Sequence, residues 1–384
     1  MAFVLSEEQV MIQTMARDFA REVLLPTAGA RDRTKEFPAE NLRQMGELGF
    51  MGMMVPEAYG GAGVDCVAYA LALAEIAYAC ASTAVVMSVH NSICCESVLH
   101  FGNEEQKRYW LPRMCTGECI GAFALTEPHA GSDPVSQRTT AVLEGDEWVI
   151  NGSKQFITTG QNAGVIIVTA VSDKQKRHRG ISAFLVPQGA PGLIVGKPEE
   201  KLGLKASDTV PLVFEDLRVP AENVLGRLGE GFKVAMQALD CGRIGIAAQS
   251  VGVAQACLDE AVDYMQNREQ FGSRLTDFQG LRWRLAEMAT EVEASKLLCL
   301  NAASQKDLGR RYTMEASMAK MYASEMVNRV AGQCLQMHGG YGYCAEYAIE
   351  RHYRDARVFT IYEGTSEIQR VVISNNLLGP LTRA

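Results

Sequence analysis

Apolar residues recur at helical spacing from residue 6 to about residue 114, opening on Ser6, Glu7, Glu8 and Gln9, the order of an N-cap followed by an acidic first turn. Gly60, Gly61 and Gly63 punctuate a loop over residues 55–63, and residues 66–99 are so rich in Ala, Met and Val that they predict buried helices. A methionine-rich helix of this kind fills a core rather than framing a cofactor. Between residues 119 and 229 the period changes. Short runs at 140–143, 148–150, 165–168 and 183–186, separated by Gly, Asp and Pro, predict strands. Their regular spacing without intervening helices predicts a small barrel or sandwich, not a doubly wound parallel sheet. Helical periodicity returns from residue 231 in long segments such as 244–268 and 277–304, which predict a bundle. The expected architecture is a multi-domain α+β chain: an N-terminal helical domain over 1–118, a β-domain over 119–230 and a C-terminal helical bundle over 231–384. No short repeat indicates a solenoid.

Composition narrows the function. A chain of 384 residues, 47% hydrophobic and 21% charged, has globular composition and enough length for two or three domains. Its net charge of −8 argues against a nucleic-acid footprint, which needs a basic stripe. Eleven cysteines are scattered, and no apolar leader opens the chain, which points to reduced thiols inside a cell. The pairs Cys115/Cys119 and Cys94/Cys95 lack a second Cys/His pair at zinc-site spacing, so no metal is expected. No run of about 18 uncharged apolar residues predicts a membrane span. The bacterial cytoplasm and, for a processed eukaryotic protein, the mitochondrial matrix both suit such a chain. No GxGxxG or GxxxxGK[ST] motif stands at a strand-to-helix junction, so any nucleotide phosphates are held another way.

The segment Ala122-Phe123-Ala124-Leu125-Thr126-Glu127-Pro128-His129-Ala130-Gly131-Ser132-Asp133 closely resembles the signature of the acyl-CoA dehydrogenase family at the entry to its β-domain. Four more segments follow in the family's order: Phe156-Ile157-Thr158, Arg268-Glu269-Gln270-Phe271-Gly272, Gln336-Met337-His338-Gly339-Gly340-Tyr341-Gly342, and Ile361-Tyr362-Glu363-Gly364-Thr365-Ser366-Glu367-Ile368-Gln369. The resemblance covers essentially the whole chain. The runs 239–247 and 350–357 look most like the short-chain, butyryl-type members.

The resemblance implies the acyl-CoA dehydrogenase fold, with a four-helix C-terminal bundle, and an FAD enzyme that desaturates a short acyl-CoA to the trans-2-enoyl-CoA. Removing a weakly acidic Cα proton and a Cβ hydride is cofactor chemistry, with the hydride received at flavin N5. The protein must supply a carboxylate near Cα, and burial would raise its pKa toward the operating pH. By resemblance that base is Glu363, whose amide polarises the thioester carbonyl together with a flavin ribityl hydroxyl, while Gly364 allows close approach of the backbone. Some branches carry the base on the helix near Asp240, but Cys241 and Gly242 cannot serve; others use an acid near residues 88–93, where this chain has His90. His90 reads as a helix residue near the acyl pocket. Taken alone, Glu363 would read as a solvated acid beside a glycine turn.

Further roles come over in the same way. Phe123, Leu125, Thr126, Phe156, Ile157 and Thr158 surround the isoalloxazine, with Thr158 a hydroxyl donor near N5; Phe156-Ile157-Thr158 alone would be an ordinary strand. Arg268 reaches the FAD pyrophosphate, with Phe278 and Gln279 beside the adenosine, although a lone Arg268 would be a solvated helix-end charge. Gln336, Gly339 and Gly340 contact FAD held mainly by a neighbouring subunit, where Gly339-Gly340 alone would read as a helix end. Thr365 and Glu367 also occupy FAD-contacting positions. Ser132, grouped with both cofactor and substrate contacts, and Asp240, Arg243 and Gly364 line the pantetheine and the active-site rim; Arg243 also suits a pair with Asp240 three residues earlier. Residues 89–95 and those near Tyr362 form the chain end of the acyl pocket. Implied partners are the acyl-CoA, electron-transfer flavoprotein as acceptor, and further copies in a homotetramer, a dimer of dimers.

Three other readings stand beside this one. A branched-chain or cyclic acyl-CoA dehydrogenase would share the base and the flavin. An acyl-CoA oxidase would too, but family oxidases are longer. A non-catalytic flavin-binding scaffold should have lost the base or the flavin contacts, and this chain retains both.

Overall fold

The computed structural model describes residues 4–379. Its first helix, Glu7–Phe19, begins where a reciprocal cap satisfies two free amides: Ser6 Oγ accepts from the Gln9 amide at 3.1 Å, and Gln9 Oε1 accepts from the Ser6 amide at 3.0 Å. Asp65 caps Cys66–Ala79 by accepting from the Ala68 amide at 2.7 Å. That helix is buried around most of its circumference, as is its successor Ala81–Ser88, in keeping with their uniformly apolar sequence.

The backbone then widens into a wholly buried π-helical turn, Val89–Cys95. Polar side chains inside the core hold it. Asn91 donates to the Phe50 and Met87 carbonyls at 2.9 and 3.1 Å and accepts from the Met53 amide at 2.9 Å. His90 Nδ1 accepts from the Gly121 amide at 3.0 Å, so its Nε2 carries the proton toward the Met114 carbonyl at 3.0 Å. This neutral imidazole ties the helical domain to the first strand of the β-domain.

The middle domain is one eight-stranded sheet. Leu193–Val195, Thr209–Pro220, Glu147–Thr158, Thr140–Glu144, Val165–Val171, Ile181–Pro187 and Val224–Leu225 follow in that order, and Gly121–Ala124 pairs in parallel with Val165–Val171. The two end strands do not pair with each other, so the sheet is not closed. It encloses its own core of Trp148, Ile150, Phe184, Leu212 and Phe214. The pairing of Glu147–Thr158 with Thr209–Pro220 slips between Lys154 and Ile157. That bulge turns Phe156 outward at φ 60°, leaving it 62% exposed.

Gly231–Asn267, Gln279–Asp307, Thr313–His338 and Ser366–Leu378 form the C-terminal bundle. The first runs 37 residues, starting well before residue 244, and packs against both Thr313–His338 and Cys66–Ala79. It therefore spans the molecule and carries features of the site on its inner face. Among the described residues no helix is long and apolar enough to cross a membrane.

Candidate active site

Glu363 sits in a turn between Arg357–Thr360 and Ser366–Leu378, with φ 51°, followed by Gly364 at φ 93°. A left-handed glutamate costs roughly 1–2 kcal/mol and persists only where its surroundings impose it. Here Gln369 Nε2 donates to the Glu363 and Gly364 carbonyls at 3.3 and 2.9 Å, and Lys320 Nζ donates to the Gly364 carbonyl at 2.7 Å. Thr365 caps the following helix by accepting from the Ile368 amide at 3.3 Å.

The turn places the carboxylate against the helix Gly231–Asn267 at Gly242, where any Cβ would collide with Glu363 Oε2. The backbone and stem of Glu363 are half-buried, but both carboxylate oxygens are shut off from solvent and neither has a hydrogen-bond partner. Burial pushes this acid up to about 7, against the nearby positive charges of Lys320 and Arg243. The Glu363 amide donates to no acceptor among the described residues. A proton acceptor near neutral pH thus stands beside an unengaged backbone donor.

Arg243 is 4% exposed and donates to Asp240 Oδ1 at 2.6 Å, while Thr313 Oγ1 donates to Asp240 Oδ2 at 2.6 Å. The i,i+3 pair expected from spacing is therefore present, and both Asp240 oxygens are engaged. Ser132 lies exposed on the loop after Gly121–Ala124. On the inner helix face, a Cβ at Gly245 would strike Ser88 Oγ and stand 2.9 Å from the Tyr69 hydroxyl. One turn further, Gln249 Oε1 accepts from the Tyr362 hydroxyl at 2.8 Å, and Gln249 Nε2 donates to the Ala81 carbonyl at 2.9 Å. His90 belongs to the neighbouring wall but has both nitrogens engaged, and burial draws it down to about 4, so it holds no free basic site.

The residues expected around the isoalloxazine come together on the middle domain. The Gln155 amide donates to the Thr126 carbonyl at 2.8 Å, joining Phe123, Leu125 and Thr126 to the strand end Phe156, Ile157 and Thr158. Beneath them Lys154, fully buried, donates to the Leu125 carbonyl at 3.0 Å and to Glu127 Oε1 at 2.9 Å. Burial draws the lysine down to about 8 despite its partner. Burial acts to raise Glu127 as well, but the Lys154 charge and the Arg138 amide outweigh it and hold this carboxyl below the usual range. The hydroxyls of Thr126 and Thr158 have no partner among the described residues, Thr159 Oγ1 is buried without one, and Phe156 presents an open ring. Free donors beside an uncovered aromatic surface suit a flavin ring.

The remaining expected cofactor residues lie elsewhere. Thr365 and the exposed Glu367 line a pocket of about 410 Å³ with Glu325, Asn328 and Arg357. Arg268 ends the long helix 26 positions beyond Gly242 (268 − 242), about 39 Å at 1.5 Å per residue. Its guanidinium lies 5.3 Å over the Tyr341 ring, beside Gly339 and Gly340, and Gln336 is exposed in the last turn before them. Phe278 packs edge-on to Phe271 at 6.3 Å, and Gln279 opens the next helix. These residues form a second surface, remote from Glu363. Among the described residues no cluster of three or more His, Cys, Asp or Glu side chains is placed to hold a metal ion, and all eleven cysteines are free.

Several residues that shape the site carry no motif of their own. Gly242 and Gly245, three apart in a helix, could have signalled a close neighbour, and Lys320, isolated among Ala and Met, could have signalled a buried cation. Gln249 gave no such sign, and Gln369, which closes the segment around Glu363, showed no role of its own in the sequence.

Comparison with known proteins places this geometry. The chain matches the N-terminal, middle and C-terminal domain models of acyl-CoA dehydrogenase over residues 6–118, 122–217 and 229–378. It is 50% identical over 374 residues to the mitochondrial short-chain specific acyl-CoA dehydrogenase of Mus musculus, covering 97% of this chain and 91% of that one. Among solved structures, butyryl-CoA dehydrogenase from Megasphaera elsdenii is 43% identical with a TM-score of 0.97, over 98% of this chain and 100% of that one. A chain from work on the electron transferring flavoprotein of Acidaminococcus fermentans is 45% identical, also with a TM-score of 0.97, over 98% of this chain and 100% of that one.

Proposed function

This chain belongs to the acyl-CoA dehydrogenase family, and from that premise we propose that it converts a short-chain acyl-CoA to its trans-2-enoyl-CoA with Glu363 abstracting the Cα proton. FAD is the cofactor of this family, and when bound it supplies the hydride acceptor. The observation that carries the reading is the Glu363 carboxylate, buried without a hydrogen-bond partner and raised to about 7. A buried acid spent on structure would be paired. An unpaired one near neutrality is suited to take a proton from a substrate carbon. The free Glu363 amide donates to the thioester carbonyl and so acidifies Cα. Thr126 and Thr158 offer their unengaged hydroxyls to the flavin, and Phe156 offers its ring.

The short acyl chain rests on where Gln249 stands relative to Glu363's neighbour Gly242. Gln249 lies seven residues from Gly242 on one helix (249 − 242), about 10 Å along its axis, and we read its bond to the Tyr362 hydroxyl as the barrier at the end of the acyl chain. Polar atoms already satisfied at that depth make a poor bed for further methylenes.

We read the second surface as an assembly surface. Arg268, Phe278, Gln279, Gln336, Gly339 and Gly340 stand far along the bundle from Glu363, which suits them to the FAD of a neighbouring copy, and the family resemblance makes that assembly a dimer of dimers. Electrons pass to electron-transfer flavoprotein, a reading supported by likeness to the chain from the Acidaminococcus work.

The test is anaerobic flavin bleaching by butyryl-, hexanoyl-, octanoyl-, isobutyryl-, 2-methylbutyryl- and cyclohexanecarboxyl-CoA. Butyryl-CoA should bleach fastest, and Glu363→Gln should bind FAD and ligand yet lose most bleaching. Preference for another thioester would move the substrate; bleaching by the variant at the wild-type rate would remove Glu363 from the chemistry.

A further inference from the structure

Lys320 lies in the middle of the helix Thr313–His338, fully buried among Ala316, Ala319 and Ala323. A buried ammonium costs several kcal/mol of desolvation, normally offset by an anion in contact. Among the described residues Lys320 has no carboxylate within salt-bridge distance; its hydrogen-bond partner is the Gly364 carbonyl at 2.7 Å. The neighbouring Glu325 bonds instead to Arg370, at 2.7 Å, and the exposed Glu367 lies 3.8 Å from the same arginine. A lysine kept for stability would be better replaced by an apolar side chain of its length.

Resting on the reading of Glu363 as the base, we propose that Lys320 is its positioning residue: the ammonium braces the Glu363–Gly364 turn through the Gly364 carbonyl and presents a positive charge to the carboxylate. The turn needs bracing, because two consecutive left-handed residues carry the base; Lys320 and Gln369 converge on the Gly364 carbonyl, and Gln369 also reaches the Glu363 carbonyl at 3.3 Å. The charge is available because no carboxylate among the described residues is within salt-bridge distance of it, Glu367 and Glu325 acting on it only from farther off. Facing Glu363 from the helix Gly231–Asn267 are Arg243 and Asp240, which are paired with each other at 2.6 Å. Cys94 faces it from Val89–Cys95, and Tyr362 precedes it in the chain. Of these groups Lys320 is the cation with no anionic contact of its own among the described residues. The influence is mutual: burial draws Lys320 down to about 8, with the Glu363 charge holding it up, while burial raises Glu363 and the Lys320 charge opposes the rise. Lys320 thereby keeps a deeply buried acid within reach of deprotonation at neutral pH.

The experiment measures the rate of anaerobic flavin bleaching by butyryl-CoA against pH for the holoenzyme and for Lys320→Met, Lys320→Gln and Lys320→Arg, with Glu363→Gln as control. Without the positive charge the carboxylate ionises less readily, so the acid limb of the profile should move to higher pH by about one unit or more in Met and Gln. The plateau should fall roughly ten- to a hundredfold as the turn loosens. Arginine should restore the acid limb without restoring the full plateau, since its planar fork does not reproduce a single donor to one carbonyl. Gln, which keeps a donor for Gly364, secures the measurement should the Met variant fold poorly. A neutral variant that retains FAD with its acid limb at the wild-type pH overturns the proposal, because a structural role alone lowers stability without moving that limb. Unchanged bleaching by Glu363→Gln would instead overturn the assignment of the base.

Discussion

Gly242 and Glu363 fill one volume between them: a Cβ at 242 would collide with Glu363 Oε2 and lie 3.0 Å from its Cδ. Glycine in a helix interior costs about 1 kcal/mol relative to alanine, so the helix Gly231–Asn267 gives up stability where the carboxylate enters. Gly242→Ala should strengthen the helix yet push Glu363 out of line. The expected outcome is normal FAD content with kcat/KM lowered roughly a hundredfold, as displacements near 1 Å do. Turnover at the wild-type level would mean that the carboxylate works from another position.

The Gln249–Tyr362 bond should set how long an acyl chain the pocket accepts. Gln249→Ala removes the barrier, and each methylene newly accommodated is worth about 1–3 kcal/mol in kcat/KM. Hexanoyl-CoA should therefore gain on butyryl-CoA by roughly tenfold or more. Some stability should be lost as well, about 1–3 kcal/mol, because the Ala81 carbonyl loses its buried donor. An unchanged ratio of the two substrates would place the pocket's end elsewhere.

Much of this was legible in the sequence because its cause is local. The Ser6 cap, the buried run at 66–99 and the strands containing 165–168 and 183–186 follow from side-chain period and capping chemistry. Glu363 stood out through the segment around it. The π-helical turn Val89–Cys95 did not, since Asn91 and His90 create it by bonding to Phe50, Met53, Met114 and Gly121, all distant in sequence. Lys320 was only half legible: its Ala- and Met-rich surroundings hint at burial, but its partner is a backbone carbonyl 44 residues away. The length of the helix Gly231–Asn267 escaped too, because packing on both sides overrides glycines that would weaken it in isolation.

Glu363 should also cost the fold stability in proportion to its readiness to take a proton. Its pKa in the folded chain, about 7, exceeds the ordinary 4.5, so the native state binds its proton more tightly than the unfolded chain does. The favourable contribution is complete below pH 4.5 and is lost as the pH rises through 7. Glu363→Gln carries no charge at any pH and escapes that loss. The gain at pH 8 is at most about 3 kcal/mol, and less in practice, because Lys320 and Arg243 lose a nearby anion in the variant. Melting of the two holoenzymes should therefore nearly coincide at pH 4.5, with the variant drawing ahead as the pH rises to 8. A difference that stays flat or narrows over that range would mean that Glu363 is not held against its charge, and that its basicity has another source.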